Sequence, residues 1–261
     1  MKPKVHVVKI GGSIIDDPAS LEAFLDQYAD ISGPKILVHG GGVLVTRVAE
    51  QQGIKQTMID GRRVTTAETL EVFIMTLART NQDIVAKLNM RNCKSIGLSG
   101  ADGAFIRANK RSPVPVDYGF VGDIQSVDDT FLKSLLNAHL NLVVMPLSYS
   151  EDFGLLNTNA DTIAQEVAAA LKDSYDVHFI YCIDQEGVFE KFGEPNSLIN
   201  RLDSAGYETL SKQGSFSKGM IPKLTTAFGA LRKGVSKVRI CSAAKLRAAC
   251  TEVQAGTEVC L

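Results

Sequence analysis

The chain has 261 residues, 45% of them hydrophobic and 22% charged, with a formal net charge of -1. That composition is ordinary for a soluble globular protein, and the near-neutral balance excludes a strong general pull toward nucleic acid or an anionic membrane. Any site for an anionic ligand must therefore be local, built from a few lysines and arginines. The length fits one large α/β domain or two ordinary ones. The five cysteines are scattered, odd in number and form no CxxC pair, so they read as free thiols of a reducing compartment. With four histidines and no ligand spacing, no metal cluster is expected. Met1-Lys2-Pro3-Lys4 leads straight into a strand-like run with no signal-peptide pattern, and no apolar run approaches the ~20 residues needed to span a bilayer. A cytoplasmic protein without nucleic-acid or membrane partners is expected.

Val5–Ile10 is a short β-branched run ending in Gly11-Gly12-Ser13, the pattern of a buried strand and a tight turn. Helical periodicity follows from about Pro18 to Asp30, and then Lys35–Val38 is a second apolar run ending in Gly40-Gly41-Gly42. Ser95–Leu98, Leu142–Met145 and Val177–Cys182 read as further central strands, separated by helical segments. Such alternation predicts a mainly parallel sheet covered by helices on both faces. Phe105–Val127 reads as short hairpins outside the main sheet, and Ser148–Leu156 as an irregular patch. Asn159–Leu171, Ala205–Gln213 and Met220–Lys233 read as helices. No linker or repeat interrupts the chain, so one compact unit with two lobes is expected, 1–174 and 175–261.

The strongest local signal is Lys9-Ile10-Gly11-Gly12-Ser13, which places a cation at a strand end and open backbone amides directly after it. Phosphate oxygens need both, although an ordinary βα turn would have the same look. His39-Gly40-Gly41-Gly42 repeats the arrangement, and in a parallel sheet both strand ends face the same edge. Neither loop is a GxxxxGK[ST] or a GxGxxG opening a helix after the first strand. Asp152-Phe153-Gly154 spells a protein-kinase motif, but the partners of that motif are missing, and three residues recur by chance.

Lys9-x-Gly-Gly-Ser, His39-Gly-Gly-Gly and the late Lys218-Gly-Met-Ile-Pro-Lys223 together resemble the amino acid kinase family. Gly61-Arg62-Arg63-Val64-Thr65 with Glu68-Thr69-Leu70-Glu71, and Leu156-Asn157-Thr158-Asn159-Ala160-Asp161, are similar to the substrate signatures of its N-acetylglutamate kinases, as are 97–103 and 119–122. These matches run in the family's order over nearly the whole chain. The resemblance implies an α/β three-layer αβα sandwich with a mainly parallel central sheet. It also implies ATP-dependent phosphorylation of the γ-carboxylate of an N-acyl-L-glutamate, in arginine biosynthesis.

Such an acceptor is already an anion at pH 7, so catalysis is mainly positioning and charge stabilisation. The resemblance assigns Lys9 and Lys223 to the migrating phosphoryl group and Asp161 to orienting them. Lys223 read alone is a solvated helix lysine, and Asp161 read alone is an acid favoured at a helix N-terminus. Gly11, Gly12, Gly41 and Gly42 would donate amides to phosphate oxygens. Arg63 would hold the substrate carboxylate in a bidentate fork, and Asn157 and Asn159 would bind the acylated amino acid or serve as turn and N-cap residues. ATP contacts are implied at Asp184, Gly187, Phe189, Ser215 and Ser217 as well as Lys9, Gly11, Gly12 and Lys223. Mg2+ is inferred from the chemistry of ATP phosphates.

Three positions depart from the family's pattern. Ile183 stands where a hydroxyl residue is usual, Lys218 where glycine is usual, and Arg62 where an apolar residue is usual. Arg62 is either a solvated surface residue or a reader of an additional negative charge, as on a succinyl rather than an acetyl group. In this family an extra helix ahead of the first strand accompanies hexamers and arginine inhibition, so a homodimer without arginine feedback is expected. The rival readings are a carbamate, uridylate or isopentenyl phosphate kinase on the same fold, or a silent nucleotide-sensing partner.

Overall fold

The computed structural model describes residues 2–59, 61–191, 194–217, 219–251 and 255–261. The first half runs β1 (Lys4–Ile10), α1 (Gly12–Asp16), α2 (Pro18–Ala29), β2 (Lys35–His39), α3 (Gly42–Gln51), β3 (Thr57–Ile59), β4 (Arg62–Val64) and α4 (Ala67–Met90). It continues with β5 (Ser95–Leu98), β6 (Ile106–Lys110), β7 (Gly122–Val127), α5 (Asp129–Asn137), β8 (Asn141–Val144), β9 (Leu147–Ser150), β10 (Gly154–Asn157) and α6 (Ala160–Ala170). The remainder is β11 (Asp176–Ile183), β12 (Arg201–Leu202), α7 (Ser204–Lys212), α8 (Met220–Arg232), β13 (Lys237–Ser242), α9 (Leu246–Cys250) and β14 (Thr257–Val259).

Eight strands form the central sheet in the order β12-β14-β13-β11-β1-β2-β8-β5, parallel throughout except where β13 meets β14. Strand parity divides the core. Val5 and Val7 of β1 join Ile36, Val38, Phe179 and Tyr181 on the face packed by α5, α6 and α8. Val8 and Ile10 join Leu37, Ile180 and Cys182 on the opposite face, against α2, α4 and α9. These side chains are almost wholly buried, each worth about 1.5–3 kcal/mol of stability, so the sheet centre is a rigid base for the loops at its edge. The layers are those expected from the sequence. All five cysteines are free, and no described helix is long and apolar enough to cross a membrane.

A second sheet, β10-β9-β6-β7, stands outside the first, as expected for 105–127. The segment 148–156 corrects the sequence reading: it is a regular hairpin, with β9 and β10 paired antiparallel from Leu147–Asn157 to Ser150–Gly154. Asp152 and Phe153 lie in its turn, and Gly154, at φ 71°, opens β10. A third piece, the β3–β4 hairpin, is tied to the segment before β7 by Thr65 N–H donating to Tyr118 O at 2.8 Å and Phe120 N–H donating to Thr65 O at 2.8 Å. The chain after β1 also departs from a plain turn, because Gly12 opens a helix at once.

Candidate active site

The carboxyl ends of β1 and β2 open into a cavity of about 340 Å³, large enough for a small metabolite. Lys9 reaches it because its odd position in β1 turns the side chain toward the α6 face, where Asp161 stands in the first turn of α6. Their ammonium and carboxylate lie 2.5 Å apart. Tyr181 is the register partner of Lys9 on β11, and its hydroxyl is 3.2 Å from the Lys9 nitrogen. The three groups form one buried corner. Burial works to raise the Asp161 carboxyl, but the charge and hydrogen bond of Lys9, then Tyr181 and Lys223, outweigh it and hold the group below the usual carboxylate range. Burial, then the neighbouring Asp161, pushes the Tyr181 phenol well above its ordinary value, so it stays a hydrogen-bond donor.

Both glycine loops sit at helix starts, Gly11 as N-cap of α1 and Gly41 as N-cap of α3, and neither cap is filled by a side chain. Gly40 N–H donates to Ile10 O at 3.0 Å, while the amides of Gly11, Gly12, Gly41 and Gly42 stand at the helix starts on the cavity's lining. Gly41 has φ 149°, and a Cβ there would lie 2.6 Å from a Leu77 methyl, so only glycine fits. His39 does not enter the cavity. It is fully buried, with Nδ1 2.8 Å from the Gly40 carbonyl and Nε2 3.1 Å from the Asn81 amide nitrogen. Burial pushes its pKa down to about 4, so the neutral ring donates from Nδ1 to Gly40 and accepts from Asn81. Asn81 donates its other hydrogen to Val143 O at 2.9 Å. Histidine in this motif is a loop brace, not a phosphate ligand.

The hairpin wall carries Arg63, Arg62 and Met58, with Arg111, Val121, Asn157 and Asn159 beside them. Arg63 is buried, and its guanidinium donates to Gly42 O at 2.7 Å, to Thr46 Oγ1 at 2.8 Å and to Gln56 Oε1. All three acceptors are neutral, and burial lowers the Arg63 pKa. Asn157 donates from Nδ2 to Thr65 Oγ1 at 2.9 Å. Asn159 is the N-cap of α6, its Oδ1 accepting from Asp161 N–H at 2.7 Å, and it also lines the cavity. The capping and site positions thus coincide in one residue.

Of the residues expected at the nucleotide, Lys9, Gly11 and Gly12 line this cavity, whereas Asp184, Gly187 and Phe189 after β11, Ser215 and Ser217 before α8, and Lys223 within α8 do not. Asp184 accepts from Ser13 Oγ at 2.8 Å, linking the first glycine loop to the end of β11. Lys223, half-buried in α8, donates to Gly219 O at 2.9 Å. Burial and then the charge of Lys9 lower its pKa, while Asp161 and Asp184 oppose them, so all four charges share one neighbourhood. Gly187 is buried against Thr257, where a Cβ would lie 2.7 Å from Oγ1, and Phe189 bridges Leu198 across the loop. Ser217 O accepts from Met220 N–H at 2.9 Å and Ser215 N–H donates to Leu210 O at 3.1 Å, so the two serines frame the turn between α7 and α8. Ile183 is buried in the core. Lys218 lies outside the described residues.

Tyr181 and Arg111 belong to the site without having been expected there. Arg111 N–H donates to Val121 O at 2.7 Å, which sets it on the cavity wall, and its guanidinium grips Asp123 through Nε and Nη2.

The acetylglutamate kinase of Cytophaga hutchinsonii is 43% identical over 246 residues, covering 93% of each chain. Among solved structures, N-acetylglutamate synthase from Neisseria gonorrhoeae in complex with coenzyme A and N-acetylglutamate superposes with a TM-score of 0.85 at 20% identity. This chain, covered in full, spans 60% of that protein. Carbamate kinase from Giardia lamblia bound to AMP-PNP has a TM-score of 0.71 at 14% identity and 98% coverage of both chains, a likeness of fold alone. Residues 4–242 match the amino acid kinase family, and the chain belongs to that family.

Proposed function

We propose that this protein transfers the γ-phosphoryl group of ATP to the side-chain carboxylate of an N-acyl-L-glutamate, N-acetyl-L-glutamate being the acceptor its relatives' name supplies. The product is the acylglutamyl 5-phosphate, a step of arginine biosynthesis. The observation that carries the reading is Lys9, fixed between Asp161 and Tyr181 on the floor of a cavity whose other wall presents Arg63. A carboxylate oxygen forms the new bond to phosphorus as the bond to the β,γ-bridging oxygen breaks, and ADP leaves. No proton has to move. Lys9 and Lys223 offset charge on the migrating group, and the amides of Gly11, Gly12, Gly41 and Gly42 donate to its oxygens. Arg63 takes the α-carboxylate, its charge having no carboxylate partner among the described residues. Asn157 and Asn159 orient the acylamide.

In the same proposal residues 1–174 bind the acylglutamate and 175–261 the nucleotide, through Asp184, Gly187, Phe189, Ser215 and Ser217. Among the described residues no three metal-ligating side chains come together, so Mg2+ would be held mainly by phosphate oxygens and water. The protein works in the cytoplasm as a homodimer, for which the exposed Val43 and Met75 on α3 and α4 supply apolar surface; its mass in solution checks this. Coupled measurement of ADP release with ATP, magnesium and N-acetyl-L-glutamate, carbamate, uridylate or isopentenyl phosphate tests the reaction. Release with acylglutamate alone, lost in Lys223→Met, is expected. Turnover of another acceptor in its place, or full activity in Lys223→Met, overturns the assignment.

A further inference from the structure

Resting on the acylglutamate reading, we propose that the acyl group is dicarboxylic, of succinyl type, and that Arg62 with Arg111 reads its distal carboxylate.

The charges around the cavity do not balance for N-acetylglutamate. Four cations line it, Lys9, Arg62, Arg63 and Arg111, against the single carboxylate of Asp161. Lys9 is neutralised by Asp161 at 2.5 Å, and Arg111 is gripped by Asp123 at 2.5–3.2 Å. Arg62 and Arg63 have no carboxylate within ion-pair distance among the described residues, Arg63 donating only to neutral oxygens. N-acetylglutamate carries a single carboxylate besides the reacting one. Arg63 accounts for it, and Arg62 is left over.

The backbone shows where the surplus charge stands. Thr65, three residues beyond Arg62, is laced to Tyr118 and Phe120; Asn157 N–H donates to Phe120 O at 3.0 Å; and Arg111 N–H donates to Val121 O at 2.7 Å. The Asn157 side chain also reaches Thr65 Oγ1 at 2.9 Å. Arg62 and Arg111 line the same cavity as Asn157, the residue proposed to meet the acylamide. Arg111 commits Nε and Nη2 to Asp123 and leaves its Nη1 edge without a partner among the described residues. A planar guanidinium left open in that cavity suits a carboxylate two carbons beyond the amide carbonyl.

Steady-state kinetics with ATP, magnesium and either N-succinyl-L-glutamate or N-acetyl-L-glutamate tests this on the full chain. The succinyl substrate should show the higher kcat/KM, by roughly ten- to a hundredfold, the usual range for a hydrogen bond to a charged group. Arg62 is exposed, so Arg62→Leu should fold, and it should shrink that ratio through KM for the succinyl substrate. Arg111→Gln should shrink it less. Equal or better use of acetylglutamate by the wild type, with a ratio unmoved in Arg62→Leu, overturns the proposal and leaves the acylglutamate reading standing. Turnover of neither substrate overturns both.

Discussion

On the floor of the cavity Lys9 is buried and paired, 2.5 Å from Asp161 and 3.2 Å from Tyr181, whereas on the hairpin wall Arg63 is buried among neutral oxygens and Arg62 is exposed. The contrast fits what each charge would do in the proposed reaction. A cation facing a migrating phosphoryl group has to hold its place before substrate arrives, and a buried partner on the next strand fixes it there. A cation that recognises a substrate carboxylate gains most when no carboxylate of the protein already occupies it. The floor is therefore internally compensated, and the wall is left for a ligand to compensate under the proposed reading.

Removing Lys9 tests the floor with the largest effect. Lys9→Met should lower kcat by about a hundredfold or more. It should also lower stability by roughly 3–5 kcal/mol, because Asp161 is left buried without its partner. The double change Lys9→Met with Asp161→Asn should recover much of the melting temperature and none of the activity. Recovery of activity in the double variant would show that the pair is only structural.

On the wall, Arg63→Met should raise KM for the acylglutamate by about ten- to a hundredfold and leave KM for ATP nearly unchanged. A matching rise in KM for ATP would erase the division between floor and wall.

Behind both lies a region that works by having no charge. His39 and His6 are buried and neutral, each with its pKa pushed from 6.5 to about 4, by burial in both cases and, for His6, also by His178. The unfolded chain takes up these protons below about pH 6.5 and the folded one only near pH 4. Stability is thus fully present above pH 6.5 and lost as the pH falls through that window, by up to ~3 kcal/mol per histidine. Melting temperature against pH should show the loss, and His39→Asn should flatten it. An unaltered slope in that variant would assign the loss to other groups.

The smallest effect is expected at Tyr181. Tyr181→Phe removes one neutral donor from the floor and should lower kcat by about three- to tenfold, with both KM values little changed.

Much of this was legible because local rules carried it. Short β-branched runs ending in glycine marked β1 and β2 and put Lys9 at a strand end, whereas Asp161 and Arg63 stood out only through the resemblance of their motifs to the family's. Tyr181 could not be read in that way: it meets Lys9 only because β11 pairs with β1, across 172 positions of sequence. Arg111 follows β6 in a stretch containing Pro113 and Pro115, where no periodicity shows which way a side chain turns. The β3 and β4 strands are three residues each, too short to give a pattern. The β9–β10 hairpin was taken for irregular chain because Asp152, Phe153 and Gly154 interrupt it, while the buried Leu147 and Leu156 that decide its fate flank the break.

Helix α4 touches both sides of the comparison. Near its start Thr69 meets Gln56, which in turn meets Arg63; about two to three turns later Leu77 and Asn81 meet Gly41 and His39. Arg63 and the second glycine loop are thus gauged from one helix of 24 residues. If the helix shifts, Arg63 and the second glycine loop travel with it, whereas Lys9 on β1 and the nucleotide residues proposed beyond β11 are set by other elements, so the helix decides how the two halves of the site meet.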